Sequence, residues 1–329
     1  MARTVRGQER SRERLQTLVA RMAWVAASIG RLLLAWVLAV AALLVGARLT
    51  GYAERQFYYP DRVVYGTPTD QGLRYDDVWF ESFDGVRLHG WFVYAVGPAT
   101  ATVIHVHGNA QNMTAHFSFV DWLPRRGFHV FAFDYRGYGA SEGHPDRAGV
   151  HRDVAAALGA VRRWPHATPD RMVALGQSLG ASVLLTVLAH ERGHGIRAVI
   201  ADSAFFSHSA IVADHLGRFG IPARWRSPLA RWLISDEYSP GPVIANVAPV
   251  PVVFFHGTRD RIVPCHHSRQ LYEQAREPRQ LWLAEGRDHT EAILEPEWQD
   301  RIVQFFLRAL DSAERSGSSM VKSSARTDR

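Results

Sequence analysis

The chain has 329 residues, 47% of them hydrophobic, which excludes a disordered or fibrous protein and suits one large α/β domain with appendages. The 38 basic residues exceed the 32 acidic ones, for a net charge of +6, but much of the excess lies near the N-terminus. No basic helix interleaved with aromatics is read, so nucleic acid is not an expected partner, and the single cysteine, Cys265, excludes an intramolecular disulfide.

Residues 1–22 are polar and basic, and residues 23–49 are apolar apart from Arg31 and Arg48. Arginines at 3, 6, 10, 12, 14, 21 and 31 precede the apolar core, opposed only by Glu9 and Glu13. The uninterrupted run from Leu32 to Ala47 is short for a bilayer, and it becomes long enough if Arg31 reaches back to the interface. The reading is a single-pass signal anchor, with the basic segment cytoplasmic and the remainder exported to the outer side of the cell membrane. Two alternatives stand beside it: a signal peptide cleaved near Val45-Gly46-Ala47, and a buried helix of the globular domain.

Residues 50–74 read as a connecting segment. Asp84-Gly85 between β-rich runs signals a hairpin. Short apolar runs then alternate with helical stretches: strands near Thr102–His107, Phe128–Phe133, Arg171–Leu175 and Ala198–Ala201, and helices near 112–126, 147–164 and from Ser178. Such alternation predicts a mostly parallel sheet with helices on both faces. The domain is expected over 75–311. A small helical cap is placed at about 203–250, carrying Phe205, Phe206, Phe219, Trp225, Trp232 and Tyr238. Most of these aromatics are expected in the core, with some lining an acyl pocket. Residues 312–329 read as a disordered tail.

The chemistry centres on Gly176-Gln177-Ser178-Leu179-Gly180, a strand-to-helix turn that would lift the Ser178 hydroxyl clear of the sheet. Asp260 follows the apolar strand Val252–His256, and His289 follows the strand Gln280–Leu283. A serine hydroxyl is a weak nucleophile and needs a base. His289 can be that base, with Asp260 holding its tautomer. The backbone N–H groups of Leu179 and Asn109 would meet the developing oxyanion.

Other polar residues receive structural readings. His107 is expected to brace the oxyanion loop, and Asp134 and Arg136 to make structural hydrogen bonds. Asp202 is a rival acid at a strand end. Asp288 is expected to point away from the site. Cys265 is read as a packed thiol. His266 and His267 lack a second cluster at ligand spacing, so no metal and no cofactor is expected.

Together, His107-Gly108-Asn109-Ala110, Phe133 to Gly143, Gly176 to Gly180, His256 to Asp260 and Gly286 to His289 resemble the α/β-hydrolase superfamily. More narrowly, they resemble its membrane-anchored, serine aminopeptidase-like or lysophospholipase-like subgroup. The resemblance covers about residues 75–310. It implies an α/β-hydrolase fold, Ser178, Asp260 and His289 as nucleophile, acid and base, and Asn109 and Leu179 as oxyanion donors. Ala181 departs from the second glycine common there. The expected activity is cleavage of carboxylic esters or related acyl bonds in small, including lipid-derived, substrates. Amidase, peptidase or thioesterase activity, and a non-catalytic binding protein of the same fold, are the alternatives. Oligomeric state is not legible.

Overall fold

The computed structural model describes residues 2–191 and 195–327, with side chains over 14–191 and 195–315. It divides into two units, Met1–Ala53 and Glu54–Arg329. The first is essentially one helix, α1 (Ala2–Leu49). Within it, Arg14–Leu49 is a 36-residue stretch whose most apolar 18 residues have a mean hydropathy of 2.4 and are not buried. That is the length and composition of a membrane span or a signal sequence. The basic segment is helical as well, since no proline interrupts it.

The second unit is built on eight strands: β1 (Tyr75–Glu81), β2 (Arg87–Val93), β3 (Ala101–Val106), β4 (Phe128–Phe133), β5 (Met172–Gln177), β6 (Ile196–Asp202), β7 (Val252–Gly257) and β8 (Arg279–Ala284). Their order across the sheet is β8-β7-β6-β5-β3-β4-β2-β1. The β1–β2 and β2–β4 pairs are antiparallel, and the other pairs are parallel. Strands β3, β4, β5 and β7 are buried along their whole length. This explains their continuous apolar sequences, because a sheet covered on both faces has no polar side.

Helices α2 (Arg147–Arg162), α3 (Leu179–His190), α4 (His208–Arg218), α5 (Ala223–Leu233), α6 (His266–Gln274) and α7 (Pro296–Thr327) surround the sheet or connect its strands. Successive strand residues feed opposite cores. Ile104, Ala174 and Phe254 join α2 and α3 side chains such as Val154 and Leu184. Val103, Val173 and Phe255 join Met113, Phe117 and, from α7, Ile302, Phe306 and Leu310.

The sheet order reverses at β3, which lies between β4 and β5. The loops leaving β3 and β5 therefore part on opposite sides of a crevice, where open α/β sheets bind ligands. Those loops carry His107–Ala110 and Ser178.

Four expectations need correction. The helix expected near 112–126 is a single turn, Met113–His116, followed by two short 3-10 turns. Pro124 opens the last of these, and proline cannot supply the N–H that a continuous helix requires there. In the cap, Phe205 is core, but Phe219, Trp225 and Trp232 are exposed at 84%, 57% and 39%. Helix α5 is also a basic, aromatic-bearing helix, with Arg224, Arg226 and Arg231 beside its tryptophans and no acidic residue. Helices were expected in this cap, but not a basic one carrying tryptophans. Finally, α7 runs on to Thr327, so the segment read as a tail continues the helix, and nothing there contains proline.

Glycine is required where α3 starts. A Cβ on Gly176 would lie 2.6 Å from Ala181 Cα, and one on Gly180 would strike the carbonyl oxygens of Val106 and His107. We predict that Gly180→Ala lowers stability by at least about 3 kcal/mol, because two backbone groups would have to move. Thermal denaturation of the purified variant measures this, and a change within a few degrees of wild type would contradict it.

Candidate active site

Ser178 has φ 53° and ψ −117°, a region that non-glycine residues avoid. The turn is held by bonds on both sides. Ser178 N–H donates to Asp202 O at 2.8 Å, and Ser182 N–H to Ser178 O at 3.2 Å. The residue is 8% exposed, and among the described residues its hydroxyl has no hydrogen-bond partner. Leu179 is the first residue of α3, so its N–H has no partner within the helix.

Asp260 and His289 are in direct contact. His289 Nδ1 lies 2.6 Å from Asp260 Oδ2. The other carboxylate oxygen accepts N–H bonds from Ile262 at 2.8 Å and Val263 at 2.9 Å. His256 Nε2 adds a contact to Oδ2 at 3.1 Å. Burial alone would raise the Asp260 carboxyl. The hydrogen bonds from His256 and His289 outweigh it and hold the group well below the usual carboxylate range. The ionised acid then fixes the His289 proton on Nδ1 and leaves Nε2 as acceptor.

His256 was not singled out from sequence. Its Nδ1 meets Ser268 Oγ and its Nε2 meets Val263 O, both at 2.7 Å. The carbonyl can only accept, so Nε2 carries the proton. The signal was available, since His256 stands four residues before Asp260 in the same strand-and-loop.

The rival acid does not reach His289 in this way. Asp202 Oδ1 accepts from Ser203 Oγ at 3.0 Å, and its Oδ2 has no partner among the described residues. Ser203 Oγ in turn accepts the N–H of Thr290 at 3.4 Å. The serine turn and the histidine loop are thus tied to the same strand end. Asp288 turns its carboxylate to the N–H groups of His289 and Arg261, at 2.9 and 3.2 Å. The structure draws no Ser178–His289 hydrogen bond; such contacts commonly tighten only with substrate bound.

His107 is buried and its Nδ1 donates to Gly108 O at 2.8 Å. Asp134 accepts the N–H of Met113 at 2.6 Å. Arg136 is forked between Asp84 and Asp153, at 2.7 to 3.1 Å, also donates to Ser82 Oγ at 3.2 Å, and is structural.

Sequence spacing missed one cluster. Asp214 of α4 meets His266 and His267 of α6, with Oδ2 3.1 and 3.0 Å from their Nε2 atoms. The donor set could suit a metal. The tautomer opposes it. His267 Nδ1 accepts the Phe206 N–H at 3.1 Å, so Nε2 carries the proton and donates to Asp214. The trio is a hydrogen-bonded clasp between cap and domain.

A family model described as serine aminopeptidase, S33, matches residues 97–240. YfhR of Escherichia coli K12 is 39% identical over 262 residues, 78% of this chain and 87% of YfhR. An Arabidopsis thaliana α/β-hydrolase domain-containing protein, WAV2, is 31% identical over 255 residues, 70% of this chain and 77% of WAV2. The chain belongs to the α/β-hydrolase family. Solved structures agree with this. An esterase of Pyrococcus furiosus superimposes with TM-score 0.63 at 25% identity, covering 77% of this hydrolase and 99% of the esterase. Acetyl xylan esterase 1 of Thermoanaerobacterium shares the fold, with TM-score 0.55 at 19% identity, covering 81% of this chain and 93% of that one. The general activity is therefore hydrolysis.

Among the described carboxyl groups of this hydrolase that burial displaces toward neutrality, Asp202 moves furthest. Burial lifts its carboxyl from the ordinary 3.8 to about 6. The fold thus favours its protonated form. That contribution to stability is complete below the unfolded value and is lost as pH rises through about 6. Asp202→Asn mimics the neutral form and keeps an acceptor for Ser203. We expect its melting temperature to exceed wild type above pH ~7, with the gain vanishing by pH ~4. A gain independent of pH would contradict the assignment.

Proposed function

We propose that this α/β-hydrolase is a serine carboxylesterase that works through an acyl-enzyme. The observation that carries the reading is the 2.6 Å contact of His289 with an ionised Asp260, on the same sheet edge as the strained Ser178 turn. Ser178 Oγ would attack the ester carbonyl carbon while His289 Nε2 takes its proton. The N–H groups of Leu179 and Asn109 would receive the oxyanion. The imidazolium, stabilised by Asp260, then returns the proton to the leaving alcohol. Water activated by the same nitrogen attacks the acyl carbon and releases the acid.

We expect a fluorophosphonate probe to label the wild type and not Ser178→Ala. Ester turnover should fall by about 10⁴-fold or more in Ser178→Ala and His289→Ala, and the double variant should be no worse than either. An unlabelled wild type, or equal labelling of Ser178→Ala, would sink this reading.

A membrane-proximal, lipid-derived substrate is the finer proposal. It is supported by the long apolar helix and by the exposed Phe219 and Trp225 of the cap. On this reading α1 is an uncleaved signal anchor with the catalytic unit outside the cytoplasm. A reporter fused after Leu310 should be active only outside the cytoplasm, and cytoplasmic activity would reverse the orientation. Phe219→Ala/Trp225→Ala should lower turnover of long-chain esters several-fold more than that of acetate esters. Equal loss on both would argue against lipid substrates.

The serine aminopeptidase description of the matching family model favours peptide-bond cleavage as the second reading. Aminoacyl amides run beside esters in one substrate panel separate the two.

A further inference from the structure

An oxyanion donor carried on a loop is useful only if its peptide planes cannot rotate. The carbonyls flanking Asn109 are pinned one by one. Gly108 O accepts His107 Nδ1–H at 2.8 Å, and Ala110 O accepts His116 Nε2–H at 3.0 Å. Asn109 O accepts both Tyr138 Oη–H at 2.7 Å and Tyr59 N–H at 2.9 Å. Gln111 O accepts Asp61 N–H at 3.2 Å. Tyr59 and Asp61 belong to neither the main sheet nor the cap. They lie in the connector that follows the long apolar helix in sequence.

We propose that residues 59–63 are a positioning strap that fixes the Asn109 peptide for oxyanion binding. The inference rests on the serine esterase reading above, in which the Asn109 N–H is a donor. Tyr59–Pro60 pairs in parallel with Ala110–Gln111, making a two-stranded sheet separate from the main one. Asn109 joins two peptide planes at one Cα. His107 pins the plane that carries the N–H, and Tyr59 and Tyr138 pin the next. With both planes held, the N–H keeps one direction.

The loop needs holding because Gln111 sits at φ 60°, where a glutamine is unfavourable. The strap is fastened on each side of it. Asn112 Nδ2 donates to Asp61 Oδ1 at 2.7 Å and to Val63 O at 2.8 Å. Asp61 Oδ2 accepts from Tyr65 Oη at 2.6 Å, and Asp61 O accepts the Gly139 N–H at 2.9 Å. Tyr59 is 51% exposed, so this residue grips the loop through its backbone, while Asp61 adds its side chain.

The test uses the full-length chain. Tyr59→Pro deletes the N–H to Asn109 O and leaves Tyr138 in place. We expect kcat to fall roughly tenfold to a hundredfold, less than loss of a whole oxyanion donor, with KM within about twofold. Affinity for a trifluoromethyl ketone, which forms the oxyanion adduct, should fall by the same factor as kcat. Affinity for the matching non-hydrolysable ether should hold. Asp61→Ala keeps every backbone donor, so it tests the strap even where Tyr59→Pro folds poorly. It should shift the ketone-to-ether affinity ratio in the same direction. Asp61→Asn, which retains the acceptor for Asn112, should restore that ratio. A strap that served stability alone would lower the melting temperature and leave the ratio at the wild-type value. That result in both variants overturns the proposal. Wild type that fluorophosphonate fails to label overturns the esterase reading instead.

Discussion

The site depends on one close approach, that of the first turn of α3 to the end of β3. Gly180 touches the carbonyls of Val106 and His107, and Gly176 leaves room for the Ala181 backbone. No side chain fits between them. This contact brings the Ser178 turn against the loop of Asn109 and forces the serine into its uncommon backbone conformation. Ala181 is fully buried and its methyl is accommodated. The strain is sustained because the surrounding strands are rigid and paired on both sides.

Electrostatics then divides two buried carboxylates near His289. Asp260 receives two backbone N–H groups and two imidazoles, and stays charged. Asp202 receives one hydroxyl and moves toward the neutral form. Asp202 is the more deeply buried and has fewer donors, and the two effects together set it apart from Asp260. Sequence alone left Asp202 open as an acid because both residues end an apolar strand. Only the direction of the His289 ring separates them.

Much of the fold was legible because its strands are buried on both faces. Phe128–Phe133 coincides with the observed strand, since an apolar run between Gly127 and Asp134 allows no other reading. Ser178 and Asp260 were legible for the same reason, as each follows such a run, whereas His289 follows the partly buried edge strand β8. What failed was short or long-range. A two-residue pairing such as Tyr59–Pro60 with Ala110–Gln111 leaves no periodicity to detect. Asp214 lies on a different helix from His267, so local ligand spacing could not reveal the clasp. Helices were expected where α5 lies, but its arginines and tryptophans, spread among apolar residues, were not read as one basic, aromatic helix.

The strap has a consequence for how the chain is made. Tyr59 leaves the ribosome before Ala110, its strand partner, has been synthesised, and parallel neighbours can be joined only after the intervening chain is complete. The apolar helix that precedes it can therefore engage a bilayer or a translocation channel while Tyr59–Pro60 is still unpaired. Synthesis thus orders the events: the stretch next to the helix has no strand partner until the β3 loop has emerged.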